Sequence, residues 1–373
     1  MVQRHPDSDA LAAYLRAQAT EFLRAPKGLA AGGGEGGGAE CAPALLRAAR
    51  RIGATLHTFH AALDPAWSTA LRRELAWFSG VLAQERLHTA TLGRLRAALQ
   101  EPRGDLGAAK AAALLERRLT PARGRAHSAV LEALGSARFH ALADAVALLA
   151  GEVPLRGGGP AYGAADGRGA VDVRGRGRAD GPGRGGTAGL DGLEDGGGAP
   201  QAGGGRADAG DGAEAGDRTG LRVHADTAGR RLAEAVAALP EPDAGPDRAP
   251  YPADQPGDGD APWHQVRLLL RLHRYALEAL TEPVPPRLVS AARALDLHRD
   301  AAEAASVAAA AARTPRIAPA TAYALGNLHA HQRHEVLAAR HDFHRAWGSA
   351  APPRAVSPAA SLPHPSTSTV TVP

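Results

Sequence analysis

The sequence predicts an all-α protein, and three observations predict it. The apolar material of its 373 residues is mostly Leu, Ala and Val, with aromatic residues only 4% of the chain, which suits helix bundles better than sheets. Apolar residues recur at spacings of three and four along eleven segments. Stretches alternating polar with β-branched residues are absent.

In chain order the helical segments are Leu11 to Leu23, Leu45 to Leu63, Pro65 to Leu82, Thr91 to Leu99, Ala108 to Leu119 and Ala126 to Leu134. Phe139 to Leu149, Leu221 to Leu239, His264 to Leu280, Arg287 to Ala312 and Ala318 to Trp347 follow. Asp64 before Pro65 reads as an N-cap with proline at the first helical position, and Pro283, Pro285 and Pro286 close the helix that opens at His264.

Between these segments lie stretches without periodicity: a Gly-rich loop from Ala31 to Ala39, a Gly/Asp/Arg tract from 157 to 219, and a Pro/Asp-rich linker from 240 to 262. With the N-terminal tail 1–10 and the C-terminal tail 348–373, they are expected to stay unfolded, because they carry too little apolar surface to offset the entropy of ordering. The helical domain is thus expected over 11–347, interrupted by the insertion and the linker. Their charge matters as well. The 157–219 tract has seven Arg against ten Asp and Glu, and 240–262 has one Arg against six acids. Removing their −3 and −5 from the overall +4 leaves +12 on the rest, so the helical body is strongly basic.

Cys41 is the single cysteine and Met1 to Ala25 holds no continuous apolar run, so a reducing cytoplasm is the expected location. The most apolar run, Ala304 to Ala312, is far short of the roughly 20 residues of a membrane span, and no membrane role is expected.

The stretch His264-Gln-Val-Arg267-Leu-Leu-Leu-Arg271-Leu-His-Arg274-Tyr275 carries the chemistry. At 100° per residue, His264, Arg267, Arg271 and Arg274 fall within an arc of about 80°, while Val266, Leu269, Leu270, Leu277 and Leu280 gather on another face. The basic stripe is about 15 Å long, enough to meet several phosphates of a linear polymer. Guanidinium forks donate two hydrogen bonds to one phosphate and keep their charge. The plain alternative is a solvated basic face.

This block, followed by Leu295-Asp-Leu-His298-Arg299-Asp300 and a last helix ending Phe343-His-Arg-Ala-Trp347, resembles the second half of an actinobacterial-type CHAD domain, the conserved-histidine α-helical domain. Ala48-Ala-Arg50-Arg51-Ile52, Leu63-Asp-Pro-Ala-Trp67 and Leu71-Arg-Arg-Glu-Leu75-Ala-Trp77 resemble its leading basic helix and the next one. His127 with Leu134-Gly-Ser136-Ala-Arg138-Phe139 resembles its third signature block.

The resemblance implies a helical bundle of two pseudo-repeated halves whose basic residues line a central surface that binds inorganic polyphosphate. It also implies a non-enzymatic role, with His264, Arg267, Arg271, Arg274, Arg50, Arg51 and His298 as binding residues, and association with polyphosphate granules. This chain departs from the pattern in its first half: Pro43, Leu46 and Gly53 stand opposite His264, Arg267 and Arg274, and Arg86-Leu87-His88-Thr89 replaces the usual Arg-Asp-x-Asp.

Other chemistries find less support. His331, His334 and His341 share a helix face, but the last two lie two turns apart, too far for one ion, so no metal is expected. Glu85-x-x-His88 is a single copy of a motif that a di-iron bundle needs twice. No Gly-rich loop precedes Lys-Ser or Lys-Thr, and Ser136 and Ser306 lack a strand-to-helix elbow, so neither a nucleotide cofactor nor nucleophilic hydrolysis is expected. Lys27 and Lys110 are the only lysines and neither ends a Glu-x-Glu-x-Lys motif, so the triphosphate-cleaving domain sometimes joined to CHAD domains is not expected here. Nucleic acid is a disfavoured partner, since few aromatics flank the stripe. A degenerate scaffold that binds a protein partner is the alternative function.

Overall fold

A computed structural model describes residues 6–30, 37–100, 107–156, 212–240 and 258–348. These form nine α-helices: α1 (Pro6–Ala30), α2 (Gly37–Thr58), α3 (Pro65–Gln100), α4 (Ala108–Leu134), α5 (Ala137–Gly151), α6 (Gly212–Ala237), α7 (Ala261–Ala279), α8 (Pro286–Ala312) and α9 (Pro319–Gly348). No strand occurs among the described residues, only one isolated antiparallel bridge between Leu63 and Leu155.

Neighbouring helices pair in a repeated order: α1 with α2 and α3 with α4, then α6 with α7 and α8 with α9. Three cores follow. The first packs α1, α2, the start of α3 and α5 around Phe22, Phe78 and Phe139, and it also takes Leu221 and Ala225 of α6 and Ala276 of α7. The second joins the end of α6 to α7, the start of α8 and Phe343. In the third, the far ends of α3 and α4 meet α8 and the start of α9 through Leu95, Leu115, Ala304, Ala308 and Leu325. The Ala304 to Ala312 run is therefore a helix seam, where small side chains let α8 and α9 lie close together.

The chain entry into α3 follows the capping expectation, with Asp64 Oδ1 accepting from the Trp67 amide at 2.8 Å. Thr281 takes a positive φ of 57° after α7, before the prolines that precede α8. Close backbone approach explains one glycine: a Cβ on Gly107 would stand 2.0 Å from the Ala320 carbonyl oxygen, so only glycine lets α4 start against the first turn of α9.

Several expected boundaries differ. The segments on either side of 83–90 are one 36-residue helix, because Ala83, Gln84, Glu85, Arg86 and Leu87 favour helix even where the apolar pattern lapses. In the same way α4 runs through Pro121. Helix begins at Pro6 within the expected tail, at Gly37 within the Gly-rich loop and at Gly212 within the expected insertion. Residues 258–262, assigned to the acidic linker, form a 3-10 turn (Asp258–Asp260) and the start of α7. The insertion at 157–211, the linker at 241–257 and the tail at 349–373 lie outside the described residues.

No single helix among the described residues is long and apolar enough to cross a membrane. Helices α4 and α5 reach that composition only together, across a 60° bend, and their Leu114, Leu115, Leu142, Val146 and Leu149 are buried in the bundle.

Candidate functional site

Helix α7 is the backbone of the site. Val266, Leu269 and Leu270 are buried in the second core, so the helix rotation is fixed and Arg267, Arg271 and Arg274 are carried along its other side. Helix α2 packs against α7 and brings Arg50, and α8 brings Asp296, Arg299 and Asp300.

Asp296 Oδ1 accepts from Arg267 Nε at 2.6 Å and from Arg271 Nη2 at 3.0 Å. Arg299 Nε donates to Asp300 Oδ1 at 3.0 Å. Arg50 is pushed down to about 9 by burial, and then by Arg271, Arg267 and Arg299. Arg267 is lowered to about 10, by burial first and then by Arg271, although Asp296 opposes the shift. Four guanidiniums from three helices thus crowd together against two carboxylates, and repulsion remains unbalanced.

Further along α7, Glu278 gathers a second group. Its Oε2 accepts from Arg51 Nε at 3.0 Å and from the Tyr14 hydroxyl at 3.1 Å, while Arg274 Nη2 stands 3.7 Å from Oε1. Arg51 also lies over the Tyr275 ring, 5.2 Å from its centroid. Burial and the neighbouring Glu278 hold the Tyr14 hydroxyl well above the usual phenol range. These contacts tie α1 and α2 to α7; burial opposes the charge on Arg51, but the Glu278 carboxylate raises its pKa above the ordinary value, so Arg51 is more fully compensated than the first group.

At the other end of α7, Asp260 stands at the N-cap position, but its carboxylate serves other partners. Oδ2 accepts from Arg333 Nη1 at 2.9 Å and Oδ1 from Arg340 Nη2 at 2.6 Å. Burial opposes ionisation, but Arg333 and Arg340 around it hold the Asp260 carboxyl well below the usual range. His298 is 1% exposed and stacks on Trp263 with ring centroids 5.4 Å apart. Burial lowers its pKa, and we assign a neutral ring whose Nε2 accepts from Arg340 Nε at 3.2 Å. The 3.3 Å approach of Nε2 to Asp260 Oδ1 is then a contact and not an ion pair.

Of the seven binding residues expected from the sequence, the structure gathers Arg50, Arg267 and Arg271. Arg51 and Arg274 form a neighbouring group around Glu278. His264 flanks the arginines, its ring 5.9 Å from that of His298, and burial followed by the nearby His298 lowers its pKa, so it is neutral at pH 7. His298 itself lies beneath the surface, as a packing partner of Trp263, and does not present its ring to solvent. Other members carry no such signal in the sequence: Arg299 and Asp296 lie on another helix from the stripe, and Asp260 lies in a segment expected as linker. Among the described residues, no group of three or more His, Cys, Asp or Glu is placed to hold a metal ion.

An all-helical protein with duplicated hairpins and an arginine cluster between its halves is thereby defined. The chain belongs to the CHAD domain family, whose match spans residues 13–297. It is similar to the solved structure of PptA from Streptomyces chartreusis, with 50% identity, 91% of this chain and 98% of that one covered, and a TM-score of 0.67. The CHAD domain from the plant Ricinus communis shares the fold at 17% identity and a TM-score of 0.50, covering 90% of this chain and 91% of that one. No curated protein matches the chain.

Proposed function

We propose that this protein binds inorganic polyphosphate, or a similar linear polyanion, without transforming it, on the face where α2, α7 and α8 meet. One observation carries the reading: Arg50, Arg267, Arg271 and Arg299 are held together with, among the described residues, only Asp296 and Asp300 as counter-ions. Folding has already met the cost of bringing these like charges together, and a polyanion relieves it on arrival. Membership of the CHAD family supports the same ligand. Binding is concentrated on the α7 side, because Leu46, opposite Arg267 in the repeat, is a core residue. The expected setting is the cytoplasm, on polyphosphate granules.

Titration with long-chain polyphosphate, orthophosphate and duplex DNA at several salt concentrations tests this. Long-chain polyphosphate should bind most tightly, with log affinity falling as log salt rises. Equal or tighter binding of DNA would make nucleic acid the ligand. Absence of any polyanion binding would leave the scaffold that recruits a protein partner.

A further inference from the structure

We infer that Asp296 is a built-in anion that occupies the ligand's place between Arg267 and Arg271, and so sets how tightly any anion must bind to enter there. The inference rests on the polyanion-binding function proposed above.

The geometry sets Asp296 apart from the other carboxylates near the cations. One oxygen, Oδ1, accepts from both arginines, at 2.6 and 3.0 Å, as a phosphate oxygen bridging the two would. Its side chain is 51% exposed while those of Arg267 and Arg271 are 14% and 21% exposed. The carboxylate therefore lies on the solvent side of the guanidiniums, across the path by which an anion would reach them. Glu278, at 20%, and Asp260, at 9%, are more enclosed, which makes them fixed parts of the fold. Among the described residues, Asp300 pairs with its sequence neighbour, Arg299. Asp296 can leave by rotating its side chain, with no change in α8.

Displacing Asp296 costs the same free energy whichever anion arrives. A single phosphate has only Arg267 and Arg271 with which to offset that cost. A long chain that enters the same place also reaches Arg50 and Arg299, whose mutual repulsion it relieves. Asp296 thus lowers every affinity by a common factor, keeping a single phosphate below the binding range while leaving a long chain within it. It is an affinity-setting residue that need not touch the bound ligand, and the preference for long chains comes from the added contacts to Arg50 and Arg299.

The test compares the full chain with D296N and D296S by calorimetric titration with orthophosphate, tripolyphosphate and long-chain polyphosphate, with thermal melting to check folding. Both variants should bind every anion roughly three- to tenfold more tightly, the scale of two partly exposed ion pairs that no longer compete. Unchanged or weaker affinity in both variants would overturn the inference, since Asp296 would then be a clamp that orients the arginines. The two readings fail separately. If no protein binds long-chain polyphosphate, yet D296N gains orthophosphate affinity over the parent, the proposed function falls and the role of Asp296 stands. If the parent binds long chains and the variants gain nothing, only the role of Asp296 falls.

Discussion

Replacing Arg50 by Met should stabilise the folded protein while weakening polyanion binding. Arg50 is lowered from an ordinary value of 12.5 to about 9, by burial and then by three neighbouring arginines. Each pKa unit corresponds to about 1.4 kcal/mol between protonation states, which sets a ceiling of about 5 kcal/mol on the strain of keeping this guanidinium charged. Water at the cluster's edge and rearrangement of the released neighbours reduce the gain, to about 1–2 kcal/mol. Methionine retains most of the aliphatic stem, so the packing of α2 on α7 survives. For a domain of this size that is a rise in Tm of about 2–6 °C, measurable by differential scanning calorimetry. Because the folded pKa is lower than the unfolded one, the unfolded chain holds more protons above about pH 9. The parent's stability should therefore rise with pH from there toward 12, and the stabilising effect of Arg50→Met should shrink over the same range. Long-chain polyphosphate should raise the Tm of the parent more than that of the variant. A variant that melts below the parent at pH 7, or that binds polyphosphate undiminished, would refute the idea of a strained cluster awaiting an anion.

Arg267→Ala with Arg271→Ala should remove most polyphosphate affinity and flatten its salt dependence, whereas Arg274→Ala, already paired with Glu278, should cost less than half as much in log affinity by the same titration. Asp260→Asn should destabilise the protein by about 3–5 kcal/mol, because it leaves Arg333 and Arg340 without their shared buried counter-ion, as chemical denaturation will measure. The Asp260 carboxyl is depressed, so its contribution is complete above about pH 4 and is lost as pH falls through its lower folded value; the parent and Asp260→Asn should converge in strongly acidic solution. His264→Ala should leave polyphosphate affinity at pH 7.5 nearly unchanged and reduce it near pH 5.5, since the lowered pKa confines the ring's positive charge to acidic solution.

The stripe on α7 was legible because one helix keeps Arg267, Arg271 and Arg274 in order, and a 3.6-residue period is enough to put them on one side. The repeat supplied Arg50 in the same way. Which anions compensate which cations was not legible, because this depends on the packing of α8 and α9 against α7. Spacing placed Arg274 with Arg267, yet Glu278 draws it into a different group. The 258–260 turn was unreadable for a different reason. Asp258, Gly259 and Asp260 have the composition of a loop, and only the arginines of α9, more than 70 residues away, make burying Asp260 favourable. His298 resembled a ligand-facing residue by family position, but its neighbours Trp263 and Arg340 enclose it.

The sharing of the first core across the repeat boundary has a consequence for how the molecule comes apart. Leu221 and Ala225 of α6 and Ala276 and Ala279 of α7 complete the pocket made by α1, α2 and α5, and Glu278 bonds Tyr14 and Arg51 from the far side. An α1–α5 fragment alone would leave an open apolar wall and the half-buried Arg51 without its acid. The two halves form an interlocked pair. Heat should therefore melt both halves in one cooperative transition, and α1–α5 and α6–α9 produced as separate chains should fold only when mixed.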